Sequence, residues 1–93
     1  MPKLEVGAVI GIPCEVKPGP FSGERLISFE TTDGPKTGFV RDNELKQIGG
    51  GEQWYVRGVI QAVREDAVEV WIRGSFFTTN GLATIPRDMA LAA

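Results

Sequence analysis

Trp71 and Arg73 stand two residues apart in Val70-Trp71-Ile72-Arg73, so a strand there carries the indole and the guanidinium on one face. The chemistry of that pair is recognition, not bond-making: Trp and Arg dominate interface hot spots because each couples apolar or planar contact area to a polar handle. Arg57, beside Trp54 and Tyr55, adds a second cation next to aromatic rings, and Phe21 is an aromatic at the centre of the Pro- and Gly-bearing stretch Lys17 to Gly23. That stretch reads as a stiff loop that folds Phe21 back over one end of the domain as a plug; left outside, the ring is placed to meet a partner. The candidate binding residues are therefore Trp71, Arg73, Ile60, Phe21, Tyr55 and Arg57.

Catalytic chemistry has little to work with. The chain has no histidine, which removes the commonest general base, the Ser-His and Cys-His pairs and most zinc or iron sites. Cys14 is the only cysteine, so no internal disulfide forms, and a reducing cytoplasm is the expected compartment. Cys14 itself reads as a small buried apolar residue. No acidic calcium loop is present, so neither a metal nor any other cofactor is expected, and the chain reads as a non-enzyme. Net charge is −2, with no basic excess to grip a phosphate backbone. No apolar run is long enough to span a membrane, and the start of the chain lacks a secretory signal pattern.

The elements that must position these residues are short strands. Residues 5 to 16 alternate, with Val6, Ala8, Ile10, Ile12, Cys14 and Val16 on one face. Pro13, which cannot donate to a ladder, places that strand at an edge or breaks it. Glu24 to Thr32 and Lys36 to Arg41 form a hairpin about Asp33-Gly34. Gly49 to Gly51 divides the chain into possible halves, 4–48 and 53–92, within a single all-β domain spanning 1–93. In the second half Trp54 to Arg64 returns as Ala67 to Ile72. A tight turn there sets Val63 opposite Val68 and Val59 opposite Ile72 on the core face. Ile60 then lies opposite Trp71 on the outer face, with Gly58 as a candidate bulge. Phe76 to Thr79 then turns at Asn80-Gly81 into Leu82 to Ile85, a third strand of the meander.

One phrase occurs twice. Gly38-Phe39-Val40-Arg41-Asp42-Asn43-Glu44-Leu45 is echoed by Ala83-Thr84-Ile85-Pro86-Arg87-Asp88-Met89-Ala90-Leu91. Each copy is an apolar strand end, then Arg-Asp, then a Leu three residues on. The reading is a short helical turn after Arg41 and after Pro86, with Asp42 as N-cap and each Leu closing the barrel mouth. These endings resemble the short turn after the penultimate strand of small SH3-like barrels. The resemblance implies an SH3-like barrel, or two pseudo-repeated β-barrel halves sharing a core, and carries no function.

The expected function is a binding module that meets a protein or peptide partner through the aromatic and Arg surface. Single-stranded nucleic-acid binding through Arg and aromatic stacking is the alternative. A structural homo-oligomer joined through strand edges or the Trp71 face is the other.

Overall fold

The computed structural model describes residues 3–47, 53–77 and 80–92, and Gly49 to Gly51, Thr78 and Thr79 lie outside them. The fold is all-β: a curled antiparallel sheet in the form of a half-barrel. Its strands are β1 (Val9–Pro18), β2 (Glu24–Thr31), β3 (Gly34–Arg41), β4 (Leu45–Gln47), β5 (Trp54–Val63), β6 (Ala67–Trp71), β7 (Ser75–Phe76), β8 (Leu82–Pro86) and β9 (Leu91–Ala92). Hydrogen-bonded neighbours run β7-β3-β2-β1-β5-β6-β8, with β4 beside β5 and β9 beside β1. Among the described residues, no helix is long and apolar enough to cross a membrane.

Alternation in β1 does what period two dictates. Ile10 and Ile12 are fully buried, Ala8, Cys14 and Val16 pack at the margin of the core, and Val6, before the strand, is exposed. Pro13 sits where the ladder permits it. On one edge β1 pairs with β5 from Val9 to Cys14. On the other edge it pairs with β9 at Ile10 and Gly11 and with β2 from Glu15 to Pro18. Pro13 falls in the interval between those two partners, where its missing N–H disturbs no pairing on that edge.

The β5–β6 hairpin departs from the simple register. Val63 pairs with Val68 and Ala62 with Glu69, but then Ile60 pairs with Val70 and Val59 with Trp71. Gln61 is the extra residue of a β-bulge, and one unpaired residue turns every side chain behind it to the opposite face. Ile60 therefore faces inward and is fully buried, while Val59 moves out beside Trp71. The expectation of Ile60 on the outer surface is corrected on this ground. Gly58 is not the bulge. It lies on the inner face, where an added methyl would stand 3.1 Å from Ile12 Cδ1 and 3.4 Å from the Val70 Cβ.

Both halves follow one plan. Three strands, with the two-residue β7 inserted as a fourth in the second half, are followed by a 3-10 turn, Asp42–Glu44 or Arg87–Met89, and by a two- or three-residue strand. That short strand crosses over: β4 pairs with β5, and β9 pairs with β1, so each half ends on the opening strand of the other. The core cluster draws on both, including Ile10, Ile12, Ile27, Phe29, Val40, Val56, Ile60, Val70, Ile72 and Ile85. The repeated phrase is offset by one residue in space. Arg41 is the cap residue of the first turn and Pro86 that of the second, so Arg87 begins its turn where Asp42 begins the other. The buried residue closing each turn is Leu45 in the first half and Ala90 in the second; Leu91 is only half-buried, in β9. No side-chain cap bond forms at either turn. Asp42 is not the N-cap; its carboxylate accepts from Arg25 Nε at 2.9 Å, and Arg87 Nη1 donates to the carbonyls of Arg64 and Glu65, tying the β5–β6 turn.

Asn80-Gly81 is not a two-residue hairpin. β7 pairs with β3, at Gly38 and Phe39, while β8 pairs with β6. Asn80 Oδ1 instead accepts the Leu82 N–H, and Gly81 offers its carbonyl to the Ile72 N–H, where an added Cβ would lie 2.2 Å from the Ile72 carbonyl oxygen. Across the curl, the Thr32 N–H donates to the Thr84 carbonyl. Lys36 joins the same seam, donating from Nζ to the Leu82 carbonyl at 2.7 Å above the Phe76 ring, and burial lowers its pKa from the usual lysine range.

The bulge makes a direct prediction. Ile60→Ala removes fully buried branched carbon and should cost about 2–5 kcal/mol in urea unfolding, whereas Val59→Ala should cost under about 1 kcal/mol. Equal losses at the two positions would place the bulge elsewhere.

Candidate functional site

Cross-strand pairing assembles an apolar row on the outer face of the sheet. Val9 pairs with Val59, Val59 with Trp71, and Trp71 with Leu82, so four strands contribute one residue each along a single line. Val9, Trp71 and Leu82 remain 41 %, 40 % and 40 % exposed. Residues directly opposite in an antiparallel ladder share a face, which is why this line is continuous. Gly81 gives the indole its room, because a Cβ there would stand 3.2 Å from Trp71 Nε1.

Beside the row lies an open cleft of about 250 Å³, bounded by Val9, Val59 and Trp71 and by the charged side chains of Glu44, Arg57 and Arg73. Its floor is the stretch of β5 where the β4 pairing ends at Val56 and the β6 pairing has not begun before Val59. Arg57 and Arg73 are exposed, and among the described residues neither forms an ion pair or side-chain hydrogen bond. Three of the other four arginines are committed: Arg25 to Asp42, Arg64 to Glu69 at 3.8 Å, and Arg87 to two carbonyls.

The structure brings together Trp71, Arg57 and Arg73 of the candidate residues and leaves the other three outside the cleft. Ile60 is core. Tyr55 is buried on the outer face, with its ring in the space that Gly11 leaves open: a Cβ on Gly11 would lie 2.5 Å from Tyr55 Cδ1. Phe21 is no plug, since it stays 71 % exposed on the loop between β1 and β2. Sequence reasoning missed Val9, Val59, Leu82 and Glu44, which join the site only through pairings distant in the chain. It also missed a further exposed aromatic, Phe77, packed edge-on against Phe39 with centroids 5.5 Å apart.

Chemistry elsewhere is sparse. Among the described residues, no group of three or more Cys, Asp or Glu side chains is placed to hold a metal ion. Burial pushes the Cys14 thiol up to about 12, so at neutral pH it is an unreactive, protonated thiol. Comparison with known proteins found no matching family model, no similar curated protein and no similar solved structure. The reading of this surface therefore stands on its geometry.

The Cys14 environment is testable through its sign. A raised folded-state pKa means the stability from keeping the thiol neutral is complete below pH 9.0, the unshifted value, and is lost as pH rises toward about 12. Cys14→Ala should flatten the fall in stability across that window. Iodoacetamide at pH 8.5 should modify the native thiol far more slowly than the urea-unfolded one; equal rates would contradict the burial.

Proposed function

We propose that this chain is a small, non-enzymatic binding module, an SH3-like barrel in general style, that meets a protein or peptide through the Val9–Val59–Trp71–Leu82 row. The 3-10 turn ahead of each short closing strand supports the SH3-like comparison. A reducing, cytoplasmic setting accords with the protonated, half-buried thiol of Cys14.

The observation that carries the reading is an internal contrast. Counting back four residues from the caps at Arg41 and Pro86 reaches Thr37 in β3 and Leu82 in β8, and their cross-strand partners are Ser28 and Trp71. Equivalent outer positions of two similarly built halves thus hold Ser and Thr in one and Trp and Leu in the other. Thr37 Oγ1 and Ser28 Oγ approach at 3.4 Å, a polar pairing that satisfies the fold. The architecture does not demand large apolar groups there. An exposed Trp–Leu pair continuous with two valines, rimmed by arginine, has the composition of an interface centre.

Selection of immobilised random peptides against the full chain tests this. Enriched peptides should bind the unmodified chain and lose about tenfold or more in affinity to Trp71→Ala, with unfolding free energy changed by no more than about 1 kcal/mol because Trp71 is a surface residue. Failure to enrich any peptide, or retention of binding by Trp71→Ala, would reject the row as the contact surface.

A further inference from the structure

Resting on the binding reading above, we infer that the row takes a short extended peptide segment in which an Asp or Glu lies beside a large apolar residue. The carboxylate docks between Arg57 and Arg73, and the apolar side chain lies on Trp71. Three features define that occupant. The row crosses four strands, so it spans three inter-strand spacings, or about 14 Å, which matches about four residues of extended chain. The cleft beside it holds two cations against the single carboxylate of Glu44, within a chain whose net charge is −2. Among the described residues both cations lack an ion-pair partner, unlike Arg25 and Arg64, so neither has to break such a contact to receive a ligand. Guanidinium groups bind carboxylates through paired N–H donors, and a flanking apolar surface keeps water away from the bond.

Phosphate is the competing anion, as it would arrive on single-stranded nucleic acid. The site favours the peptide. Trp71 is the one ring lining the cleft and offers stacking for one base, and two arginines in an acidic chain supply little of the polyelectrolyte attraction that nucleic-acid binding uses.

Fluorescence anisotropy with the full chain tests the assignment through three labelled hexapeptide pools of identical apolar composition. They carry Asp or Glu, Asn or Gln, or Lys next to a Leu, Phe or Trp. Pool binding to the acidic set should exceed the amide set by about tenfold, weaken with added salt, and be lost in Arg57→Glu/Arg73→Glu, which should gain affinity for the Lys pool. Should circular dichroism show that the double reversal unfolds, Arg57→Gln/Arg73→Gln must show the same tenfold loss on the acidic pool. Equal binding of the acidic and amide pools, still dependent on Trp71, would overturn the carboxylate assignment and leave the binding row intact. Absence of binding by every pool would remove both. Arg-dependent binding of a labelled oligo-dT in preference to the acidic pool would overturn the peptide in favour of a phosphate ligand.

Discussion

Everything in this fold hangs on the pairing of β1 with β5. Six consecutive residue pairs, from Val9 with Val59 to Cys14 with Trp54, join the first half to the second, and Gly11 opposite Arg57 lies near their middle. The pairing continues past the strand end, where the Ile60 N–H donates to the Ala8 carbonyl and the Gly7 N–H to the Ile60 carbonyl. Neither half is otherwise closed. Each also sends its last short strand onto the partner's first, so β4 and β9 find their ladder partners in the opposite half. A half of about 45 residues buries too little apolar surface to stand alone, and sharing one core is the physical answer.

The two faces of that central pair have separate duties. Inward, Ile10, Ile12, Val56 and Ile60 fill the curl, and Gly58 lets β1 and β6 side chains close over them. Outward, the halves diverge. Tyr55 covers Gly11 at one end, while the other end exposes Val9 and Trp71 beside a half-buried Val59. Charge follows the same division. Arg25 and Arg87 hold turns by bonding Asp42 and turn carbonyls, whereas Arg57 and Arg73 border the cleft with no ion-pair partner among the described residues. The fold thus carries different surfaces on two similar backbone plans, and the outer face of the second half is the one where structural need and residue choice part company.

Much of this was legible because its causes are local. Alternation set Ile10 and Ile12 on one face, which is the buried one, Asp33-Gly34 marked its hairpin, with Gly34 at a φ of 104° that glycine adopts readily, and the twin endings marked two short helical turns, which are 3-10 turns. What could not be read has non-local causes. A bulge at Gln61 leaves no mark in residue type, yet it moved Ile60 inward and Val59 outward together. Asn80-Gly81 has the composition of a tight hairpin, but β6 had already taken β8, and β7 went to β3 instead. Pro86 displaced the second Arg-Asp by one position, so matching letters did not mean matching places. Of the candidate site, Trp71, Arg57 and Arg73 were readable as residue types; Val9 and Leu82 needed the register.

Amide hydrogen exchange measures the central claim most directly. If β1 and β5 hold the molecule together, the Ile60 amide and its β1 neighbours should exchange only through global unfolding, with a free energy equal to that from denaturant titration, and should outlast the β2–β3 amides or match them. Faster exchange across β1 and β5 than within the β2–β3 hairpin would show that the halves are held some other way, and the account of the shared sheet would fail.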